Sequence, residues 1–125
     1  MAVSPFILFF GFDSAAIDDR AAAILDNVAV QVRHLEVPRL VIAGHTDRAG
    51  PSDYNRTLSR RRAEAVRDYL RRRGLSRVAI EIEAFGEERP AVETSDGAAE
   101  IQNRRVEVAI GCIPRPGPGF EYMRC

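Results

Sequence analysis

Apolar positions recur along this chain in two periods, and the period changes mark its elements. Phe6-Ile7-Leu8-Phe9-Phe10 is a short, bulky apolar run closed by Gly11, Asp13 and Ser14, which predicts a buried strand. Ile17, Ala21, Ile24, Leu25, Val28, Val32 and Leu35 then follow in steps of three and four, one face of a helix. Asp18 and Asp19 open that helix, where carboxylates suit its positive end. Pro38 breaks it, and Leu40-Val41-Ile42-Ala43 predicts a second strand stopped by Gly44. Gly50-Pro51-Ser52 marks a turn, with Ser52 or Asp53 as cap of a long helix that runs to about Arg73 and ends at Gly74. Val78, Ile80 and Ile82 alternate with Ala79, Glu81 and Glu83, a half-exposed strand. A polar loop runs through Glu87-Glu88-Arg89-Pro90 to Gly97. The last strand alternates Val106, Val108 and Ile110 with Arg105, Glu107 and Ala109.

The predicted order is β-α-β-α-β-β, an α+β sandwich with helices over one or both faces of a sheet. The chain has 125 residues, enough for one domain with a real core, and we place that domain at 6–111. Residues 112–125 form a Pro/Gly-rich C-terminal tail that reads as mobile, because Pro114-Arg115-Pro116-Gly117-Pro118-Gly119 cannot extend a strand or helix. The cysteines Cys112 and Cys125 both fall in the tail. Their spacing matches no zinc motif and leaves a disulfide and two free thiols equally open. The longest apolar run is far shorter than the roughly 20 residues a membrane-spanning helix needs. The first residues lack the features of a signal peptide, which leaves either a cytosolic chain or a domain with an export signal upstream.

Charge narrows the function classes. Eighteen basic residues, all arginine, balance eighteen acidic ones, so no global field draws the chain to nucleic acid or an anionic membrane. Helical geometry spreads Arg60-Arg61-Arg62 and Arg71-Arg72-Arg73 around their axis, and no aromatic residues interleave them for base stacking. Nucleic-acid binding is thus a minor alternative. On the long helix, Tyr54, Leu58, Ala65, Val66 and Tyr69 share a broad apolar face, and Arg62 sits in the middle of it, while Arg60, Arg67 and Arg71 lie opposite, toward water. A guanidinium turned to the core stays charged and is costly unless paired. The nearest anion by construction is Asp47, just past the second strand. Two outcomes follow. A closed Asp47–Arg62 pair would only brace the fold. An open pair would hold a ligand's ammonium at Asp47 and its carboxylate at Arg62, as suits the free end of an amino acid, with Asn55 adding an amide contact.

Those residues carry a family resemblance. Gly44-His45-Thr46-Asp47-x-x-Gly50, then Tyr54-Asn55-x-x-Leu58-Ser59-x-x-Arg62-Ala63-x-x-Val66 and Leu70, resembles the signature of OmpA-like peptidoglycan-binding domains. Phe85-Gly86-Glu87 with Pro90, Asn103-Arg104-Arg105-Val106 and Phe12-Asp13 with Ile17 extend the likeness from about Phe6 to Gly111. The resemblance implies a mixed four-stranded sheet of order 1-4-2-3 packed by two main helices. It implies a non-enzymatic periplasmic domain, linked to the outer membrane, that binds peptidoglycan through the diaminopimelate of its stem peptide. By motif position Asp47 takes the ammonium and Arg62 the carboxylate; Asn55, Leu58, Arg104 and Asp13 line the same pocket. Membrane attachment would come through a segment upstream. The competing expectation is an assembly module of an envelope complex in which the Asp47/Arg62 pair only braces the fold.

The remaining motifs favour bland readings. With His34 as the only other histidine and no ligand spacing, His45 reads as a buried, hydrogen-bonded residue shaping its loop rather than a metal ligand. No nucleophile elbow or phosphate loop is present. Glu87 and Glu88 are adjacent, unlike the facing carboxylates of a glycosidase. We therefore expect no catalytic residue, no metal and no cofactor.

Overall fold

The two helices lie together on one face of a four-stranded sheet, where Leu8, Leu40, Ile42, Val106 and Val108 point into a shared core. The computed structural model describes residues 5–35 and 38–112. In chain order these form β1 (Phe6–Phe9), α1 (Asp19–Arg33), β2 (Pro38–Gly44), α2 (Ser52–Arg72), β3 (Ala79–Ala84), a single 3-10 turn (Ile101–Asn103) and β4 (Arg105–Cys112). The sheet order is β1-β4-β2-β3, the expected 1-4-2-3, with β2 and β3 parallel and β4 antiparallel to both β1 and β2. Leu8, Leu40, Ile42, Val106 and Val108 meet Leu25, Val28, Val32, Val66 and Leu70 in one core. Among the described residues no helix covers the opposite sheet face, and Ile7 and Phe9 of β1 stand exposed there. The expectation of a mobile tail and the question of a Cys112–Cys125 disulfide fall outside the described residues, which end at Cys112.

Several element ends differ from the pattern for local reasons. Asp18 is the N-cap of α1 rather than part of its first turn, its carboxylate accepting the Ala21 N–H at 2.8 Å. Pro38 does not break that helix, which closes at Arg33; it is the first residue of β2, a strand position that tolerates a missing N–H. Neither Ser52 nor Asp53 caps α2. Pro51 holds the N-cap position without a side-chain bond, and its carbonyl accepts the Asn55 N–H at 3.0 Å. At the other end Gly74, at φ +100°, closes the helix as expected: its N–H reaches the Arg71 carbonyl and Leu75 N–H the Leu70 carbonyl. Arg71, expected in water, folds over this turn and donates to the carbonyls of Leu75, Ser76 and Val78.

The buried face of α2 is turned from the one its large residues suggest. Asn55, Leu58, Ser59, Arg62, Ala63, Val66 and Leu70 are buried, whereas Tyr54 is 44% exposed and Ala65 only half-buried. The cause is a close helix–strand crossing. A Cβ on Gly44 would stand 1.9 Å from the Ser59 carbonyl oxygen and 3.4 Å from the Ala63 methyl. The small residues Ser59 and Ala63 let the helix come down onto this glycine, and that contact fixes which side of α2 faces the sheet.

Gly44→Ala therefore cannot be absorbed by a side-chain shift, since the clash is with helix backbone. We expect it to cost about 3 kcal/mol or more in urea unfolding, the upper range for overpacking a core. A loss below about 1 kcal/mol would show that α2 is not held against Gly44.

Candidate functional site

Strand directions gather the chemistry at one sheet edge. Phe9 pairs with Arg105, and Gly44 pairs with both Val106 and Ala84. The C-terminal ends of β1, β2 and β3 thus meet the N-terminal end of β4. The loops leaving them enclose an open cleft of about 260 Å³, lined among others by Asp13, Asp47, Tyr54, Asn55, Leu58 and Arg62.

Arg62 is fully buried, as its place on α2 demanded. Its partners are not the expected ones. Nε donates to the Ser14 carbonyl at 2.8 Å, Nη1 to the His45 carbonyl at 2.9 Å and Nη2 to the Gly11 carbonyl at 3.0 Å. No carboxylate lies within salt-bridge distance among the described residues. The loop between β1 and α1 reaches the guanidinium first and offers main-chain oxygen. The closed Asp47–Arg62 pair is thereby corrected to three neutral carbonyls holding one cation. Burial lowers the Arg62 pKa to about 10, opposed by the nearby Asp47 charge, so the group remains a cation at neutral pH. A guanidinium has five N–H donors, and three are used here.

Asp47 is buried and already engaged. Its Oδ1 accepts the Ala49 N–H at 3.2 Å; its Oδ2 accepts the Glu100 N–H at 3.1 Å and Arg104 Nη1 at 3.2 Å. Arg104 is in turn held by the Phe10 carbonyl at 3.2 Å. The 3-10 turn that makes this possible has no apolar periodicity, so no sequence pattern marks it. Its N-cap Glu100 binds the Gln102 N–H with its own side chain while aiming its N–H at Asp47.

The other motif residues are braces around the cleft. The Asn55 amide donates to the carbonyls of Asp47 and Gly50 and to Glu87 Oε1. Ser59 donates to the Arg56 carbonyl and accepts the Gly86 N–H at 2.9 Å, while the Gly86 carbonyl accepts the Thr46 N–H at 2.8 Å. Gly86 stands at φ +56° with helix backbone 3.2 Å from a would-be Cβ, so the tight turn after β3 needs a glycine. Asn103 binds the Val92 main chain through both its amide oxygen and nitrogen at 2.8 Å. Leu58 lines the cleft and Arg104 stands behind Asp47. Asp13, at φ +51°, accepts a hydrogen bond from the Tyr54 hydroxyl, which raises the tyrosine pKa. The sequence reading missed Tyr54 as a cleft residue because it counted the ring into the apolar face; its place at the margin of that face was the available signal.

His45 is buried, as expected, but not by a full set of hydrogen bonds. Its ring stacks on Phe85 at 5.3 Å between centroids, with Arg89 on that same phenyl ring at 3.9 Å. Nε2 lies 3.6 Å from Glu107, and Nδ1 has no partner. Burial, then the neighbouring Arg105 charge, lowers its pKa to about 4, against the pull of Glu107.

Comparison with known proteins covers this region. A family model described as the OmpA family matches residues 9–104. The peptidoglycan-associated lipoprotein of Legionella pneumophila is 39% identical over 104 residues, which are 81% of this chain and 57% of that protein. Outer membrane protein A of Bordetella avium is 34% identical, across 82% of this chain and 53% of its own. The chain thus spans little more than half the length of these relatives. Among solved structures, the peptidoglycan-associated lipoprotein of Burkholderia pseudomallei superposes with a TM-score of 0.76 at 34% identity, covering 83% of this chain and 88% of that one. The C-terminal domain of Helicobacter pylori MotB superposes at 0.74 with 20% identity, over 89% and 86% of the two chains, a likeness of fold alone.

The lowered His45 pKa has a definite sign. The native state prefers the neutral ring, so the stability it contributes is complete above the unfolded pKa of 6.5 and is lost as pH falls toward 4. We expect wild type to lose about 3 kcal/mol more than His45→Phe between pH 7.5 and pH 4 in denaturant titrations. Parallel pH profiles for the two proteins would remove His45 as the cause.

Proposed function

The chain belongs to the OmpA family, and from that premise we propose that it binds peptidoglycan non-covalently and tethers an envelope component to the cell wall. The proposed ligand group is the free end of diaminopimelate in the stem peptide, where an ammonium and a carboxylate share one carbon. Asp47 takes the ammonium and Arg62 the carboxylate, with Asn55, Leu58, Asp13 and Arg104 shaping the pocket. The location that follows is periplasmic and linked to the outer membrane. No helix among the described residues is long and apolar enough to cross a bilayer, so the tether's membrane end would be supplied by another segment or partner. The mode is capture rather than cleavage. Two relatives more than 30% identical bear the name peptidoglycan-associated lipoprotein, which supports the wall as partner.

The observation that carries this reading is the state of Arg62. A fully buried cation without a bonded carboxylate lines an open cleft. Three carbonyl dipoles hold it in place but leave its net charge, and a carboxylate entering the cleft would meet the two unused N–H groups in a site of low dielectric. Beside it, Asp47 has filled three of the roughly four acceptor sites of a carboxylate, which leaves room for one N–H of an ammonium.

The bracing alternative also has an observation in its favour, since all three bonds of Arg62 tie main-chain segments together. The two readings differ in what a ligand feels. Calorimetric titration of a diaminopimelate-containing stem peptide should give binding to wild type and at least a tenfold loss in Asp47→Ala and Arg62→Ala. Arg62→Ala should also lose about 3 kcal/mol or more of stability, because three carbonyls lose their donor, so the titrations are run at a temperature where circular dichroism shows each variant folded. Well-folded wild type that binds no stem peptide would leave only the brace.

A further inference from the structure

The two charged ends of the cleft are not equivalent. Asp47 meets a cation within the protein, Arg104 at 3.2 Å, and accepts two main-chain N–H groups besides. Its charge is answered before any ligand arrives. Among the described residues Arg62 meets no carboxylate, only the carbonyls of Gly11, Ser14 and His45. Asp13, the other acid lining the cleft, is exposed and takes its hydrogen bond from Tyr54 instead. A ligand carboxylate would therefore answer a buried charge that no carboxylate of the described residues bonds, whereas a ligand ammonium adds one bond to a carboxylate already paired.

From this asymmetry we infer that the cleft selects its ligand chiefly by a free, ionised carboxylate, and that it discriminates against diaminopimelate whose free-end carboxyl is amidated. The inference rests on the binding reading above and adds its specificity. A carboxamide is neutral and presents N–H groups of its own. Placed against Arg62 it leaves the buried cation unanswered and can set donor against donor. Sites built around a polar partner reject the analogue that lacks it far more strongly than apolar pockets reject a missing methylene. The amine side is more forgiving, because Arg104 keeps Asp47 paired when no ammonium comes.

The test varies the ligand and leaves the protein intact, so loss of folding cannot imitate loss of contact. Four synthetic stem tripeptides are titrated into the wild-type chain by calorimetry. They end in diaminopimelate, in diaminopimelate amidated at the free-end carboxyl, in lysine, which keeps the amine and lacks that carboxylate, and in 2-aminopimelate, which keeps the carboxylate and lacks the amine. We expect the amidated and lysine peptides to bind about a hundredfold more weakly than the parent, and the 2-aminopimelate peptide only about tenfold more weakly. Amidated or lysine peptide binding within threefold of the parent would overturn the inference and leave peptidoglycan binding standing. A larger loss for 2-aminopimelate than for lysine would overturn it as well, by placing the selection at Asp47. Failure of all four to bind folded protein would remove the binding reading and the inference together.

Discussion

One buried guanidinium organises the functional end of this domain. Arg62 comes up from the face of α2 that packs on the sheet and binds the loop after β1 at Gly11 and Ser14 and the loop after β2 at His45. The loop after β1 packs Phe10 and Ile17 on the core, but apolar contact alone leaves main-chain carbonyls unanswered. Each of the two loops would otherwise present buried carbonyls without donors, and the guanidinium answers three at once. Lysine could not substitute, since its ammonium is a compact, strongly hydrated point charge without the fixed fork that reaches three separated oxygens. The cleft is thus built around the cation, with its walls hung from it.

The same economy explains why Asp47 has a partner of its own. Had Asp47 closed on Arg62, both charges would have been answered internally and Asp13 would be the charged residue of the cleft lining left to a ligand. Instead Arg104, fixed by the Phe10 carbonyl, takes Asp47, and the 3-10 turn supplies the Glu100 N–H to the same oxygen. The aspartate is oriented by three donors and cannot swing toward Arg62 without losing them. Keeping two opposite charges near each other but unpaired is costly, and here the cost is met by distributing their hydrogen bonds over other elements.

Much of this was legible in the chain. Alternation in β3 and β4 and the three-to-four spacing in α1 are direct consequences of burial on one face, so the element order could be read. Arg62 could be placed in the core because Leu58 and Val66 flank it one turn away on either side along its helical face. Its partners could not be read, because a main-chain carbonyl leaves no mark on residue identity; any residue at Gly11 or Ser14 offers one. The Arg104–Asp47 pair was hidden for another reason. It joins positions 57 apart through a turn with no periodicity, and only the fold brings them to one sheet edge. The rotation of α2 was legible in principle, since Gly44, Ser59 and Ala63 are small, but side-chain bulk drew the apolar face toward Tyr54 and Ala65.

Bracing and binding are commonly set against each other, yet the geometry of Arg62 is compatible with both. A guanidinium that only braced would need no place in the lining of an open cleft. One that only bound would need another device to hold its plane still. Five donors allow both: three fix the plane against rigid main chain, and the remaining two inherit that orientation without loss of further side-chain freedom. If Arg62 receives a carboxylate as proposed, preorganisation of this kind would make that subsite stiff, and stiffness would turn a single unanswered charge into selectivity. On the same reading the aspartate side, held equally firmly but already paired with Arg104, would contribute orientation more than energy. The asymmetry of the cleft is therefore a consequence of the folding problem that Arg62 solves.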